Sequence, residues 1–293
     1  MLHNALVLAL VASSAVFAAP TPAPITDTDI LQFALTLEHL ENAYYTGGLA
    51  KFDADAFEKA GFAPWVHGRF EQIAAHEAAH VSFLTNALGD NATKPCVYDF
   101  PYDSPESFAE LSMALESVGD AAYLGAAHLI SDKGVLTDAA SILSIEGRHA
   151  GWVSASVLKN QPWNGPFDAP ITTSGAFSLA SQFIKSCPST NPQLPIQTFP
   201  ALTLTSSGST VSPGNTVSIS FDKRPANASV AWLSGLDIVY SDLDGSGKTT
   251  VPQGLMGTVF ATVVSSKDAP SDTNMLSGFA IVQIPFDSRA ANA

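Results

Sequence analysis

The chain has 293 residues, of which 46% are hydrophobic and 14% are charged, and its formal net charge at pH 7 is −14. This composition is typical of globular proteins with sizeable cores and excludes a largely disordered chain. The acidic balance argues against nucleic acid and anionic membranes as partners, because both attract basic surfaces, and it leaves cations as natural partners.

The N-terminus has the pattern of a signal peptide. An apolar run in MLHNALVLALVASSAVFAA is followed by small residues, with Val16-Phe17-Ala18 as a cleavage site, although no Lys or Arg precedes the run. The run is too short to cross a membrane, and no other stretch approaches the ~20 apolar residues that a span requires. We therefore predict a signal peptide at 1–18, a Pro-rich linker at 19–26 and a secreted, extracellular protein without a membrane span.

The cysteines and glycosylation motifs agree with an extracellular location. Cys96 and Cys187 are the two cysteines, and in an exported chain such a pair most often forms a disulfide, two buried thiols being the alternative. Asn91 and Asn227 each begin an Asn-X-Ser/Thr motif, which permits glycosylation in the same compartment.

Apolar spacing, caps and breakers predict five main helices and one short amphipathic piece, DADAFEKAG, before residue 191. The first helix is expected to be capped by Asp27 or Asp29 and to stop at Gly47-Gly48. A long crossover containing Cys96 is expected between the second and third helices. The five predicted ranges are about 27–45, 64–88, 104–131, 137–158 and 175–187.

Two Glu-x-x-His pairs lie on these helices. Glu77 and His80 belong to QIAAHEAAHVSFL, and Glu146 and His149 form the second pair. A helix turns about 100° per residue, and on that basis each glutamate lies at the centre of an apolar face. The glutamates are therefore predicted to point into a core.

An internal repeat adds two more glutamates. FALTLEHLENAYYTG aligns without a gap with LSMALESVGDAAYLG, which matches Glu38 with Glu116 and Tyr45 with Tyr123. The two Glu-x-x-His pairs match in the same way, so helices one and two repeat as three and four. Burying an unpaired carboxylate costs several kcal/mol at least, and four of them in one core indicate bound cations.

The remainder, 191–293, contains alternating runs such as TVSISF and FAIVQI separated by turns. These runs predict an all-β sandwich of roughly seven strands, with no catalytic cluster. The overall prediction is a multi-domain α + β protein, with a helical domain at 27–190 followed by a β-sandwich domain at 191–293.

Because of the two Glu-x-x-His pairs and the two repeat glutamates, the segment from about 27 to 187 resembles the ferritin-like di-metal carboxylate proteins. It most closely resembles the secreted fungal ferritin-like proteins linked to stress, desiccation or sexual development. The resemblance implies a four-helix bundle with a fifth helix and two divalent ions, iron or manganese, with Glu77 and Glu146 as bridges. The six ligands that it implies are Glu38, Glu77, His80, Glu116, Glu146 and His149.

Further residues on these faces are candidates for supporting roles. Glu41 lies on the face of Glu38 and is either a seventh ligand or a hydrogen-bonded carboxylate at the edge of the bundle. Asn42 and Asp120, equivalent in the repeat, are either surface residues or second-layer partners that orient the two ligand histidines. Tyr45 and Tyr123 are expected to hydrogen-bond the ligand glutamates.

Two other interpretations of the helical region remain open. His76-Glu-Ala-Ala-His80 also fits the H-E-x-x-H motif of zinc peptidases, although His76 points about 100° away from the apolar face and has Ile145 as its repeat counterpart. Alternatively, the buried carboxylates pair with Arg69, Arg148 or tyrosines and hold no metal.

Two function hypotheses follow. The first is a secreted metalloprotein in which a dinuclear iron or manganese centre performs oxygen or peroxide chemistry or handles metal. The second is a structural or binding protein of the cell surface, in which the metal only stabilises the bundle and the β-domain engages a cell-wall or matrix partner.

Overall fold

The computed structural model describes residues 25–206, 211–221 and 228–287. The predicted signal peptide, most of the Pro-rich linker and the motif residue Asn227 lie outside the described residues. Asn91 is exposed at the start of the crossover, where a glycan would be accessible. No helix in the described ranges is long and apolar enough to cross a membrane.

In the part of the chain that the structure describes, four long helices form the bundle, and two shorter helices accompany them. The helix α1 pairs mainly with α3, and α4 pairs mainly with α5. A π-helical turn, Val153–Val157, extends α5. The six helices are α1 (Asp27–Lys51), α2 (Ala54–Lys59), α3 (Val66–Leu88), α4 (Pro105–Ala126), α5 (Lys133–Trp152) and α6 (Thr173–Ala180).

Helix α1 differs from its prediction at both ends. Thr26 is the N-cap and forms a capping box with Asp29, whereas Asp27 accepts backbone hydrogen bonds from Ser131 and Asp132, across the bundle. At the other end the helix continues through Gly48 to Lys51. A Cβ at Gly48 would lie 2.2 Å from the Phe108 ring, so this glycine allows close packing of α4 and does not end α1.

The predicted fifth helix is also too long, because α6 ends at Ala180. The chain then forms strand β2 (Ile184–Ser186), which pairs antiparallel with strand β1 (Val97–Tyr98) of the crossover. The predicted disulfide between Cys96 and Cys187 is confirmed beside this strand pair. The crossover is therefore fastened covalently and by hydrogen bonds to the end of the helical region.

Seven strands follow among the described residues, in agreement with the predicted sandwich. One sheet has the order β3-β4-β7 and the other β6-β5-β8-β9, all antiparallel. The apolar core between the sheets is centred on Trp232 and Val259, both fully buried. The strands are β3 (Thr203–Ser206), β4 (Thr216–Ser220), β5 (Ser229–Ser234), β6 (Asp237–Asp242), β7 (Lys248–Thr250), β8 (Gly257–Val264) and β9 (Ala280–Ile284).

The two central strands of the four-stranded sheet, β5 and β8, are buried on both faces. Along β5, Trp232 faces the sandwich core, while Leu233 joins the core of the helical bundle. Phe260 and Phe279 also belong to the bundle core, and a Cβ at Gly175 in α6 would lie 2.2 Å from the Phe279 ring. The bundle and the sandwich therefore share one apolar interface, and the domain boundary near residue 191 stays a prediction.

Candidate metal centre

Four helices deliver the candidate ligands to the middle of the bundle. Helices α1 and α4 contribute Glu38 and Glu116, and α3 and α5 contribute the two Glu-x-x-His pairs. On a helix, residues three apart lie on one face, so each pair presents a carboxylate and an imidazole side by side. The side chains of all four glutamates are completely buried.

These side chains form two overlapping clusters. In each cluster, one ligand atom from every residue lies within 4.8 Å of one from every other residue. Glu77 and Glu146 belong to both clusters, which is the arrangement expected of carboxylates that bridge two ions. The first cluster is Glu38, Glu77, His80 and Glu146, and the second is Glu77, Glu116, Glu146 and His149.

Both histidines face the carboxylates through Nδ1. The Nδ1 atom of His80 lies 3.2 Å from Oε2 of Glu38 and 3.2 Å from Oε2 of Glu77. The Nδ1 atom of His149 lies 3.0 Å from Oε2 of Glu116 and 3.3 Å from Oε1 of Glu77. The two halves are thus related by the approximate twofold symmetry that the sequence repeat predicts.

The two repeat tyrosines bind the glutamates of the opposite half. The hydroxyl of Tyr123 donates to Oε1 of Glu38 at 2.6 Å, and the hydroxyl of Tyr45 donates to Oε1 of Glu116. The structure therefore places the two tyrosines on ligand glutamates, as expected, but crosswise between α1 and α4. Each tyrosine fixes one oxygen of a terminal carboxylate and leaves the other oxygen facing the cluster.

Three buried carboxylate oxygens at the centre accept no hydrogen bond within the described residues. They are Oε1 of Glu77 and both oxygens of Glu146, which belong to the two shared carboxylates. The Nδ1 atom of His149 lies 3.3 Å from Oε1 of Glu77, and the Nδ1 atom of His80 lies 3.4 Å from Oε1 of Glu146. Neither contact has hydrogen-bonding geometry. Orphaned buried acceptors are rare in native proteins, and a cation would satisfy all three. The residues present therefore fit a pair of divalent ions.

The electrostatics of the metal-free centre agree with this assignment. Burial raises the pKa of Glu38 to about 8 and raises the pKa of Glu116 and Glu146 well above the ordinary value. Burial also acts to raise the pKa of Glu77, but the close approach of both histidines outweighs it and lowers that pKa to about 2. For His80, burial acts to lower the pKa, and the close approach of the Glu146, Glu38 and Glu77 carboxylates raises it to about 12. Without metal, the centre therefore keeps its charge down by holding protons.

Glu41 is buried beside the centre but belongs to neither cluster. A Cβ added at Gly119, its repeat counterpart, would lie 2.9 Å from Oε1 of Glu41 and 3.0 Å from Oε2 of Glu146. The missing side chain at Gly119 thus makes room for a fifth carboxylate. Burial, followed by repulsion from Glu146, raises the pKa of Glu41 well above its ordinary value.

His76 has a role that the sequence pattern did not indicate. Its Nδ1 atom lies 2.9 Å from Nε2 of His149, and the two rings stack with centroids 5.2 Å apart. The prediction gave this orienting position to Asp120, but Asp120 lies beside Gly147 instead, and burial raises its pKa to about 7. Asn42, the proposed partner of His80, makes no side-chain hydrogen bond to that histidine within the described ranges.

The geometry disfavours the two rival interpretations. No candidate metal cluster among the described residues contains His76, because its nitrogen is turned to His149 and not to a site shared with His80. Within the same residues, neither Arg69 nor Arg148 forms an ion pair with a carboxylate. Tyrosines do bind Glu38 and Glu116, as that alternative expects, but they leave three oxygens of Glu77 and Glu146 without a partner among the described residues. The contact between His76 and His149 depends on the packing of α3 beside α5, which the pattern of α3 alone does not show.

Residues 26–159, a little under half of the chain, match the ferritin-like domain family. The matched segment contains both Glu-x-x-His pairs and both repeat glutamates, so the helical part of the chain is a ferritin-like domain with a candidate carboxylate and histidine metal site.

The chain is also similar to a fungal protein, protein rds1 of Schizosaccharomyces pombe (strain 972 / ATCC 24843). The two are 30% identical over 190 residues, which is 64% of this chain and 47% of rds1. The chain thus spans about half the length of this relative. The predicted resemblance to fungal ferritin-like proteins is confirmed.

Proposed function

We propose that this chain is a secreted ferritin-like metalloprotein in which two divalent ions, iron or manganese, perform oxygen or peroxide chemistry. The observation that carries the proposal is that Glu77 and Glu146 belong to both clusters and that three of their four carboxylate oxygens lack hydrogen-bond donors among the described residues. A pair of such ions, when bound, supplies redox equivalents and Lewis acidity to a small oxidant.

The chain's own residues have separable tasks in this proposal. Glu77 and Glu146 would hold both ions, and each half would add one terminal glutamate and one histidine. The two tyrosine hydroxyls hold the terminal glutamates in place. The surrounding apolar core excludes bulk water, which strengthens the interaction of the carboxylates with cations.

Elemental analysis of protein purified from culture medium tests the metal, and N-terminal sequencing of the same sample tests export and cleavage after Ala18. We expect about two metal ions per chain and consumption of added peroxide by loaded protein. Protein with Glu77→Gln and Glu146→Gln is the matched control, because it keeps the shape of both side chains and removes their charge. Two metals without any turnover of peroxide or oxygen would refute the chemistry.

A second candidate function is partner binding, with the metal confined to stabilising the bundle. It is favoured by an exposed apolar patch near the sandwich. In this patch, Phe167 is 57% exposed and Leu236 is 63% exposed. Gly235, the neighbour of Leu236, lies against the backbone of Phe167. A cell-wall or matrix component is the expected partner. Metal-dependent melting without turnover, together with wall binding lost in Phe167→Ser, would favour this candidate.

A further inference from the structure

An open cleft of about 370 Å³ lies between α3 and α5, directly beside the metal centre. Its volume falls in the range of roughly 300–1,000 Å³ that is typical of small-molecule sites. His149, a candidate metal ligand, forms part of its wall. A molecule in the cleft would therefore lie next to the centre.

The cleft is positively charged in an otherwise acidic protein. Arg69 and Arg148 both line it, and they are the two arginines of the described ranges. Arg69 donates to Oε1 of Gln72 at 2.6 Å, and neither guanidinium is in an ion pair with a described carboxylate. The formal net charge of the chain is −14, so carboxylates to pair with arginine are plentiful. Two unpaired arginines in one cleft therefore indicate an external anion.

The walls of the cleft also include apolar and aromatic surface. Ile73, Ile145 and Trp152 line it, and the Trp152 ring packs at 6.1 Å from the ring of Trp65, which is 48% exposed. A hydrated inorganic ion would leave this surface unused. An organic anion with a flat or apolar body would cover it.

The cleft breaks the symmetry of the repeat. Alignment of the two Glu-x-x-His pairs matches Arg69 with Asp138, His76 with Ile145 and Arg148 with Ala79. The other half of the centre therefore lacks the basic groups and the supporting histidine. The cationic cleft is not a by-product of the repeat that builds the metal site.

We propose that this cleft binds a small organic carboxylate, with the carboxylate held by Arg69 and Arg148 and the body packed on Trp152. His76, which hydrogen-bonds His149, lines the same cleft and connects an occupant to the metal centre. The binding of such a carboxylate is independent of the proposed function. Its use as a substrate by the metal centre rests on the proposed function.

Benzoate is a suitable probe, and benzamide, which has the same shape without the charge, is its control. Both are titrated against the full chain, metal-free and metal-loaded, by calorimetry and tryptophan fluorescence. We expect benzoate to bind at least about tenfold more tightly than benzamide, because a charge-assisted bidentate pair is strong. Arg69→Gln and Arg148→Gln should each weaken benzoate binding by about tenfold, whereas Lys59→Gln, which removes an exposed charge on α2, should leave it unchanged.

Equal binding of benzoate and benzamide, or unchanged binding in both arginine variants, would overturn the proposal. Inorganic phosphate that binds as tightly as benzoate, with no effect of Trp152→Ala, would show a simple oxyanion site and overturn the organic part. Metal content and melting temperature of each variant are measured alongside, since both arginines are exposed and their replacement should not disturb folding. A protein that binds benzoate but never turns over peroxide would refute the proposed function and leave this inference standing.

Discussion

The two halves of the candidate metal centre, one around His80 and one around His149, have the same kinds of candidate ligand at similar distances from each histidine. The residues that surround the two histidines differ. His149 receives His76 on its second nitrogen and opens on the arginine-lined cleft. The repeat offers His80 only Ile145 at the equivalent position, which has no hydrogen-bonding side chain. The two halves of the centre are therefore alike in their ligands and unlike in the layer behind them.

The shared carboxylates differ as well. Glu77 interacts with both histidines and its pKa is lowered, whereas both oxygens of Glu146 lack donors and burial raises its pKa. A duplicated helix pair is enough to assemble the ligands. Differences on the helix flanks decide which half is open to other molecules and which oxygens most need a cation.

The largest expected effect comes from removing a shared carboxylate. Glu77→Ala and Glu146→Ala should each abolish binding of both ions, because each residue belongs to both clusters. Glu38→Ala and Glu116→Ala should each leave one ion bound, because each belongs to a single cluster. Metal content per chain after reconstitution measures the difference.

Glu71→Ala is the matched control for these variants, since Glu71 is an exposed glutamate on α3. It should keep the full metal content. One ion retained in Glu77→Ala would mean that this residue does not bridge. A single zinc lost on replacement of His76 would restore the peptidase interpretation.

The ligand face could be predicted from the sequence because helical periodicity and burial are local properties. Glu77 and Glu146 lie at the centres of apolar faces, and the repeat supplied Glu38 and Glu116, so the four converge once the helices pack. The disulfide and the seven strands followed from composition and alternation in the same way.

Contacts between elements could not be predicted in this way. Gly48 reads as a helix stop, yet it lies inside α1 because the Phe108 ring needs its space. The β-sandwich is predicted as a domain of its own, yet alternate residues of β5, from Val230 to Leu233, enter two different cores. His76 points away from the face of its own helix and meets His149 only because α5 lies alongside.

The pKa shifts predict that the metal-free protein loses stability as the pH rises from 5 to 8.5. Burial raises the pKa of Glu38 to about 8. The contribution of Glu38 to the free energy of unfolding is therefore complete below its ordinary pKa near 4.5 and is lost as the pH rises through 8. Glu116 and Glu146 act in the same direction, and His80, with its pKa raised to about 12, also loses its contribution above about 6.5. Glu77 has the opposite sign, but its effect lies below pH 4.5.

Thermal melting of chelator-treated and metal-loaded protein across this range measures the effect. The loaded protein should not follow the decline, since metal binding needs the carboxylates ionised and replaces their protons. Metal affinity should therefore rise with pH over the same interval. Identical pH profiles for the two forms would contradict the assignment of these groups to a metal site.

His76→Ala tests the difference between the two histidines directly. Loss of a partner behind a metal ligand typically weakens metal binding about 10–100-fold, so one of the two ions should bind at least about tenfold more weakly while the other is unaffected. A titration that resolves two binding steps measures this. Ile145→Ala is the control at the equivalent position of the other half and should leave both steps in place.

The smallest effect is expected from the tyrosines, where the two halves should behave alike. Tyr123→Phe leaves Oε1 of Glu38 without its donor, and Tyr45→Phe does the same to Oε1 of Glu116. An unsatisfied buried acceptor costs about 1–3 kcal/mol, so each variant should unfold more easily by about 1 kcal/mol or somewhat more. Tyr45 also contacts the Ser112 hydroxyl at 2.8 Å, which becomes free to rotate towards other acceptors. The loss in Tyr45→Phe should therefore not exceed that in Tyr123→Phe. Chemical denaturation of the two variants measures both values, and a loss confined to Tyr45→Phe would show that the halves differ at their tyrosines too.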